Sequence, residues 1–125
     1  MKSKGNIVFL GMMGSGKTSI GSLFSKKFKL DFYDTDQLIE KKLNTKISKI
    51  FQEKGEKFFR DFEEKITLQI LRNKNIVVAL GGGTFLNKKI RNEILKNHNS
   101  IWLDWDIKIL IKRIKNNPKR PIAFN

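Results

Sequence analysis

The 125-residue sequence predicts an α/β protein, a three-layer α/β/α sandwich around a parallel sheet. Three observations carry that expectation. Short apolar runs, Asn6–Leu10 (NIVFL), Ile76–Leu80 (IVVAL) and Ser100–Leu103 (SIWL), have the unbroken hydrophobic character of strands covered on both faces. Segments with apolar residues at helical spacing stand between them, and alternating strands and helices favour a parallel sheet. Glycines follow Leu10 and Leu80, where such runs end, and open parallel sheets bind ligands at that edge.

The first run leads into Gly11–Thr18, GMMGSGKT: a glycine, four free positions, then Gly-Lys-Thr. A helix is predicted over Lys17–Phe28, with Ile20, Leu23, Phe24 and Phe28 on one stripe. The motif therefore has the strand-loop-helix setting of a nucleotide-phosphate cradle. Gly11, Gly14 and Gly16 allow successive amides to turn inward, and the helix start adds positive potential. Gly14, Ser15, Gly16, Lys17, Thr18 and Ser19 are the candidate phosphate ligands, with Lys17 reaching the β- and γ-phosphates and Thr18 offering its hydroxyl to Mg²⁺.

A second strand is expected at Leu30–Tyr33, followed by Asp34-Thr35-Asp36. Spacing of two sends both carboxylates to one side if strand geometry persists, whereas Asp36 also suits the N-cap of the helix that follows. Helices are predicted over Asp36–Leu43, Ile47–Lys54, with Gly55 as a stop, and Glu56–Arg72. In the last, Phe58, Phe59, Phe62, Ile66 and Ile70 form a broad apolar face, and Phe51, Phe58 and Phe59 beside Arg60 are candidates to wall a pocket. Arg60 has Glu63 one turn on, a pattern shared by carboxylate-binding sites and ordinary surface ion pairs. Gly81, Gly82 and Gly83 either let a small polar ligand approach the backbone or make a flexible turn.

Asn87–Lys96 reads as a further helix. His98 reads as a polar residue at its end and not as a catalyst, because no partner stands at ligand spacing. A final helix is predicted over Asp106–Lys115, with Arg113 near its end, before Asn116-Asn117-Pro118 breaks it.

With 39% hydrophobic residues, the length suits one domain, and no window approaches a membrane span. The absence of cysteine removes disulfides and thiol chemistry. A net charge of +14 raises nucleic acid as a partner, but the lysines are dispersed along the chain, so specific nucleic-acid binding is the weaker reading and attraction of anionic substrates the stronger. The apolar N-terminal run is too short for a signal peptide, and a cytoplasmic monomer without membrane contact is expected.

Taken in order, GMMGSGKTSIG, FYDTDQLIE, IFQEKGEKFFRDFE, VVALGGG and the terminal KRPI resemble shikimate kinase, over essentially the whole chain. The resemblance implies a fold of the P-loop nucleoside-triphosphate kinase type and ATP- and Mg²⁺-dependent phosphorylation of the 3-hydroxyl of shikimate, in aromatic amino acid biosynthesis. It implies that Lys17, Asp36 and Arg120 act in catalysis, with Asp36 orienting or deprotonating the acceptor hydroxyl. By the same likeness Arg60 pairs with the shikimate carboxylate and Gly81, Gly82 and Gly83 line the substrate. Asp34 supports the metal through water, Arg113 lies near adenine, and Arg120 opens the lid. Leu80 departs from the family pattern, which often has a small hydroxylated residue there. Family members normally continue through the rest of a lid, a further arginine, a fifth strand and a base-binding loop. The expectation is therefore one P-loop kinase domain, residues 1–125, C-terminally incomplete, with 116–125 starting the lid. A related gluconate or nucleoside monophosphate kinase, or a truncated non-catalytic nucleotide-binding module, is the alternative.

Overall fold

The computed structural model of the chain describes residues 5–11, 16–103, 112 and 115. The elements run β1 (Ile7–Leu10), α1 (Lys17–Phe28), β2 (Asp31–Asp34), α2 (Thr35–Leu43), α3 (Ile47–Lys54), α4 (Glu56–Ile70), β3 (Ile76–Ala79), a 3-10 turn (Thr84–Leu86), α5 (Lys88–Asn97) and β4 (Asn99–Trp102). Among the described residues all strand pairs are parallel, in the order β2-β3-β1-β4.

That order dictates the layers. From β1 the chain travels outward to β2, then reverses through β3 and crosses β1 to reach β4. Right-handed crossovers place their helices on opposite faces when the direction of travel reverses. Accordingly Ile20 and Phe24 of α1 pack with Ile7, Phe9 and Val77 on one face. On the other, Ile39, Ile50, Phe59, Ile66, Ile70, Ile90 and Ile94 pack with Val8, Leu10 and Val78. Alternate residues of β1 thus enter different cores, which is why its sequence is apolar at every position.

Several boundaries differ from the sequence expectation. β2 is displaced one residue, from Leu30–Tyr33 to Asp31–Asp34, because Asp34 still pairs with Ala79 of β3. Helix α2 begins at Thr35 and not Asp36, and α4 ends at Ile70, short of Arg72. Gly55 both ends α3 and starts α4, at φ 89° and ψ 167°, a backbone setting that favours glycine. Of the helix expected at 106–115, only Lys112 and Lys115 are described, both helical. The lid expected from residue 116 lies outside the described residues. No helix among the described residues is long and apolar enough to cross a membrane.

At the sheet edge where strands begin, fully buried Asn6 ties three segments together. Its Oδ1 accepts the Ile76 amide at 3.1 Å, and its Nδ2 donates to Asn73 O at 2.8 Å and Leu71 O at 3.4 Å. Its own N–H donates to His98 Nδ1 at 3.0 Å. That fixed donor makes Nδ1 the acceptor, so the ring proton lies on Nε2, 2.8 Å from Glu93 Oε2. His98 is thus a buried helix-end residue on the side of the sheet opposite the glycine-bearing strand ends.

Removing the Asn6 amide strands a buried N–H and two carbonyls. Asn6→Ala should lower unfolding free energy by about 2–4 kcal/mol. Urea denaturation checks this, and a loss below about 0.5 kcal/mol would contradict the network's structural weight.

Candidate active site

Because β2, β3 and β1 are neighbours, the residues that follow them open onto one cleft of about 380 Å³. Gly16, Lys17, Thr18 and Ser19 come from the start of α1, Asp34, Asp36 and Gln37 from the β2–α2 junction, and Leu80, Gly81 and Gly82 from the end of β3. Eight sequence-predicted residues therefore meet: Gly16, Lys17, Thr18, Ser19, Asp34, Asp36, Gly81 and Gly82. Gly14, Ser15, Arg113 and Arg120 lie outside the described residues.

On the α1 side, Gly16 adopts the left-handed conformation at φ 88° and ψ 18°, no side chain among the described residues caps the helix, and its first turn has no acid. First-turn amides and the helix dipole are left to favour an anion. Lys17 is buried, with its Nζ donating to Gly11 O at 2.7 Å. Burial lowers its pKa from the usual lysine value, while Asp36 and Asp34 oppose that shift.

The two acids divide the work differently from the sequence expectation. Asp34, and not Asp36, caps α2: its Oδ1 accepts the Gln37 amide at 3.0 Å. Its Oδ2 accepts the Thr18 hydroxyl at 2.5 Å. Asp36 stands in the first helical turn, so the carboxylates share the cleft through a strand-to-helix change and not through persistent strand geometry. Relieved of capping, Asp36 is half-buried with its pKa pushed up to about 6, by burial first, then by repulsion from Asp34, Glu63 and Glu40, with Lys17 opposing.

Gly81 and Gly83 leave room for close approach of two site side chains. A Cβ at Gly81 would lie 2.3 Å from Asp36 Oδ1, and one at Gly83 would lie 2.8 Å from Arg60 Nη2. Gly83 itself has φ −103°, which any residue can adopt, and the atom a Cβ would meet is the far end of the Arg60 side chain, so a larger residue there displaces the guanidinium. The Gly81 amide donates to Thr35 Oγ1 at 2.9 Å in the buried wall.

Arg60 is not among the cleft-lining residues, and reaches the site beside Gly83. Its Nη1 donates to Glu63 Oε1 at 2.9 Å, with the side chains 39% and 2% exposed respectively. Its guanidinium lies 5.9 Å from the Phe51 ring centroid and 5.2 Å from that of Phe59. A carboxylate as buried as Glu63 distinguishes this pair from the usual surface ion pair. Phe58 does not join that wall; it stacks on Phe62 at 6.3 Å with Lys54 5.6 Å over its ring.

Thr35, Gln37 and Thr84 were not singled out by the sequence pattern. Thr84 donates its hydroxyl to Glu63 Oε2 at 2.8 Å, and like Thr35 it is fully buried. A lone threonine carries no spacing signal, and only the fold brings these hydroxyls to their partners.

The Thr18 hydroxyl beside the Asp34 carboxylate supplies hard oxygen donors, which fit Mg²⁺. Among the described residues no group of three or more His, Cys, Asp or Glu could hold a metal. The pair therefore fits a cation that retains waters and shares oxygens with phosphates, and does not form an all-protein cage.

A family model described as shikimate kinase matches residues 13–125. The chain is 42% identical over 116 residues to a shikimate kinase of Bartonella quintana, covering 93% of this chain and 55% of that one. It is 39% identical over 117 residues to one of Sulfurihydrogenibium sp., covering 94% and 70%. It thus spans between about half and seven-tenths of these curated relatives' lengths. Among solved structures, a shikimate kinase from Acinetobacter baumannii in complex with shikimate superposes with a TM-score of 0.78 at 28% identity, covering 96% of this chain and 67% of that one. A gluconokinase from Sinorhizobium meliloti, at TM-score 0.52 and 16% identity, shares the fold.

The raised pKa of Asp36 means that its charge opposes folding. Below the ordinary value of 3.8 both folded and unfolded chains are neutral there; between 3.8 and about 6 the unfolded chain ionises first, and above about 6 the penalty is complete. Asp36→Asn should therefore raise Tm by about 2–5 °C at pH 8 and leave it unchanged near pH 3. Thermal unfolding at both pH values checks this; equal increments would show that the charge is not the cause.

Proposed function

Since the chain belongs to the shikimate kinase family, we propose that it transfers the γ-phosphoryl group of ATP to the 3-hydroxyl of shikimate, a step in aromatic amino acid biosynthesis. The observation that supports this most strongly is the shared cleft of Lys17 and Asp36, one suited to phosphate and the other to a hydroxyl proton.

In this reading the amides of Gly14 to Ser19 and the Lys17 ammonium bind the phosphates. When bound, Mg²⁺ neutralises charge on the phosphate oxygens; Thr18 would ligate it directly and Asp34 through water. Asp36 accepts a hydrogen bond from the 3-hydroxyl, aims the oxygen at the γ-phosphorus and takes the proton on its carboxylate as the new P–O bond forms and the bond from the γ-phosphorus to the β–γ bridging oxygen breaks, releasing ADP. A pKa near 6 leaves it ionised at neutral pH while keeping it a better base than an ordinary aspartate. Arg60 pairs with the shikimate carboxylate, which fixes the ring's orientation, and Gly81, Gly82 and Gly83 form the wall it slides against.

Arg120 stabilises charge on the transferring group and Arg113 packs near adenine, both on the strength of the family pattern. Residues 1–125 form a single kinase domain in this reading, with the lid opening at 116. A cytoplasmic location belongs to the same proposal, since ATP is its substrate.

ADP release measured with shikimate, gluconate and AMP as acceptors tests the assignment. Turnover is expected with shikimate; turnover of gluconate or AMP alone would move the protein to another acceptor. With shikimate, kcat/KM should fall about tenfold per pH unit below pH 6 and level off above it, because Asp36 must be ionised to act as base. A flat profile from pH 5 to 7 would remove it from that role. Lys17→Ala should lower transfer by about 10³-fold or more, and Asp36→Asn should lower kcat by about 10²–10⁴-fold with ATP affinity within about threefold. Arg60→Ala should raise the shikimate KM by about 10–100-fold with a smaller change in kcat, and an unchanged KM would exclude Arg60 from the substrate site.

A further inference from the structure

Glu63 has two oxygens and two partners. Oε1 accepts Arg60 Nη1 at 2.9 Å and Oε2 accepts the Thr84 hydroxyl at 2.8 Å. Glu63 and Thr84 are both essentially excluded from solvent, at 1% and 0% exposed. In such surroundings an unpaired carboxylate oxygen is costly, and the guanidinium already bonded to Oε1 carries further N–H donors. Arginine and carboxylate readily form a two-pronged pair. The structure has the one-pronged form, and the Thr84 hydroxyl holds in place the oxygen that a second prong would have to reach. Among the described residues Arg60 donates one hydrogen bond, and its Nη2 is turned toward the Gly81–Gly83 turn, close enough that a Cβ at Gly83 would lie 2.8 Å away.

Thr84 also fixes that turn through its backbone. Its N–H donates to Gly81 O at 3.1 Å, and the Gly81 N–H donates to Thr35 Oγ1 at 2.9 Å. One residue therefore secures the glycine turn with its main chain and divides the oxygens of Glu63 with its side chain.

The geometry points to Thr84 as a positioning residue that keeps Glu63 one-pronged on Arg60, so that the rest of the guanidinium fork stays available to a substrate carboxylate. Thr84 is fully buried with its hydroxyl on Glu63, and acts through that carboxylate. Without its hydroxyl, Glu63 rotates to take a second Arg60 N–H, and the incoming carboxylate must compete with a buried one already in place. This inference rests on the carboxylate-binding role of Arg60 proposed above.

The test compares the wild-type chain with Thr84→Val, which exchanges the hydroxyl for a methyl group, Thr84→Ala, which removes it with less bulk, and Thr84→Ser, which keeps it. Titration calorimetry reads shikimate and ATP affinity separately. In Val and Ala the shikimate Kd should rise about tenfold, with ATP affinity within about twofold; Ser should stay within about twofold for both. Unchanged shikimate affinity in both Val and Ala overturns the inference, and so does a parallel loss of ATP affinity, which would mark a general structural role. The ¹⁵N side-chain signals of Arg60, assigned by their absence from Arg60→Lys, give a readout that needs no substrate. They should move in Val and Ala as a second N–H engages Glu63, and match wild type in Ser. Were wild type to bind no shikimate, the shikimate reading would fall; these signals would then decide the role of Thr84 alone, with unchanged signals in Val and Ala overturning it.

Discussion

The site depends on one close approach. Asp36 Oδ1 lies where a Cβ on residue 81 would stand only 2.3 Å away, so the carboxylate can occupy its position only because the chain after β3 is glycine. Burial is the first cause of the shift that pushes the pKa of Asp36 up to about 6. The close approach also fixes the separation between the α2 side of the cleft and the β3 side. Thr35, next in sequence to Asp36, accepts the Gly81 N–H, so the two walls are bonded as well as packed.

The two halves of the candidate site come from opposite layers of the sandwich. Lys17 and Thr18 begin α1, which covers one face of the sheet, whereas Arg60 and Glu63 belong to α4, which covers the other. Such elements can meet only at the rim of the sheet, and the order β2-β3-β1 places three strand ends side by side there. The reversal of chain direction at β2 therefore does two things: it sends the helices to both faces, and it opens the crevice where both faces contribute side chains. Asp34 joins the halves directly, capping α2 with one oxygen and accepting the Thr18 hydroxyl with the other.

Much of this was legible in the sequence where a local pattern has a single physical solution. The bounds of α1, Lys17–Phe28, follow from Gly-Lys-Thr at its start and its apolar stripe, and the four strands fall within a residue or so of their apolar runs. The division of roles at Asp34-Thr35-Asp36 was not legible. Either aspartate can cap a helix, and the choice turns on where β2 ends, which is set by the pairing of Asp34 with Ala79 in a strand more than forty residues away in sequence. Arg60 posed a similar ambiguity: the same four-residue pattern serves a surface ion pair or a buried one, and only tertiary packing of Glu63 separates them. The helix carries aromatics on two sides, so Phe59 turns to Arg60 while Phe58 turns to Phe62 and lines a separate cavity with Ile50 and Lys54. Thr84 has no signal until Glu63 is placed beside it.

The central claim is that phosphate bound at α1 faces an acceptor gripped between Asp36 and Arg60. Its most direct test is a crystal structure with Mg²⁺, a non-hydrolysable ATP analogue and shikimate bound together. The 3-hydroxyl oxygen should lie within about 2.6–3.2 Å of an Asp36 oxygen and about 3–3.5 Å from the γ-phosphorus, with the shikimate carboxylate on Arg60. A shikimate molecule reversed in the cleft, with its carboxylate away from Arg60 and no hydroxyl between Asp36 and the γ-phosphate, would contradict the claim.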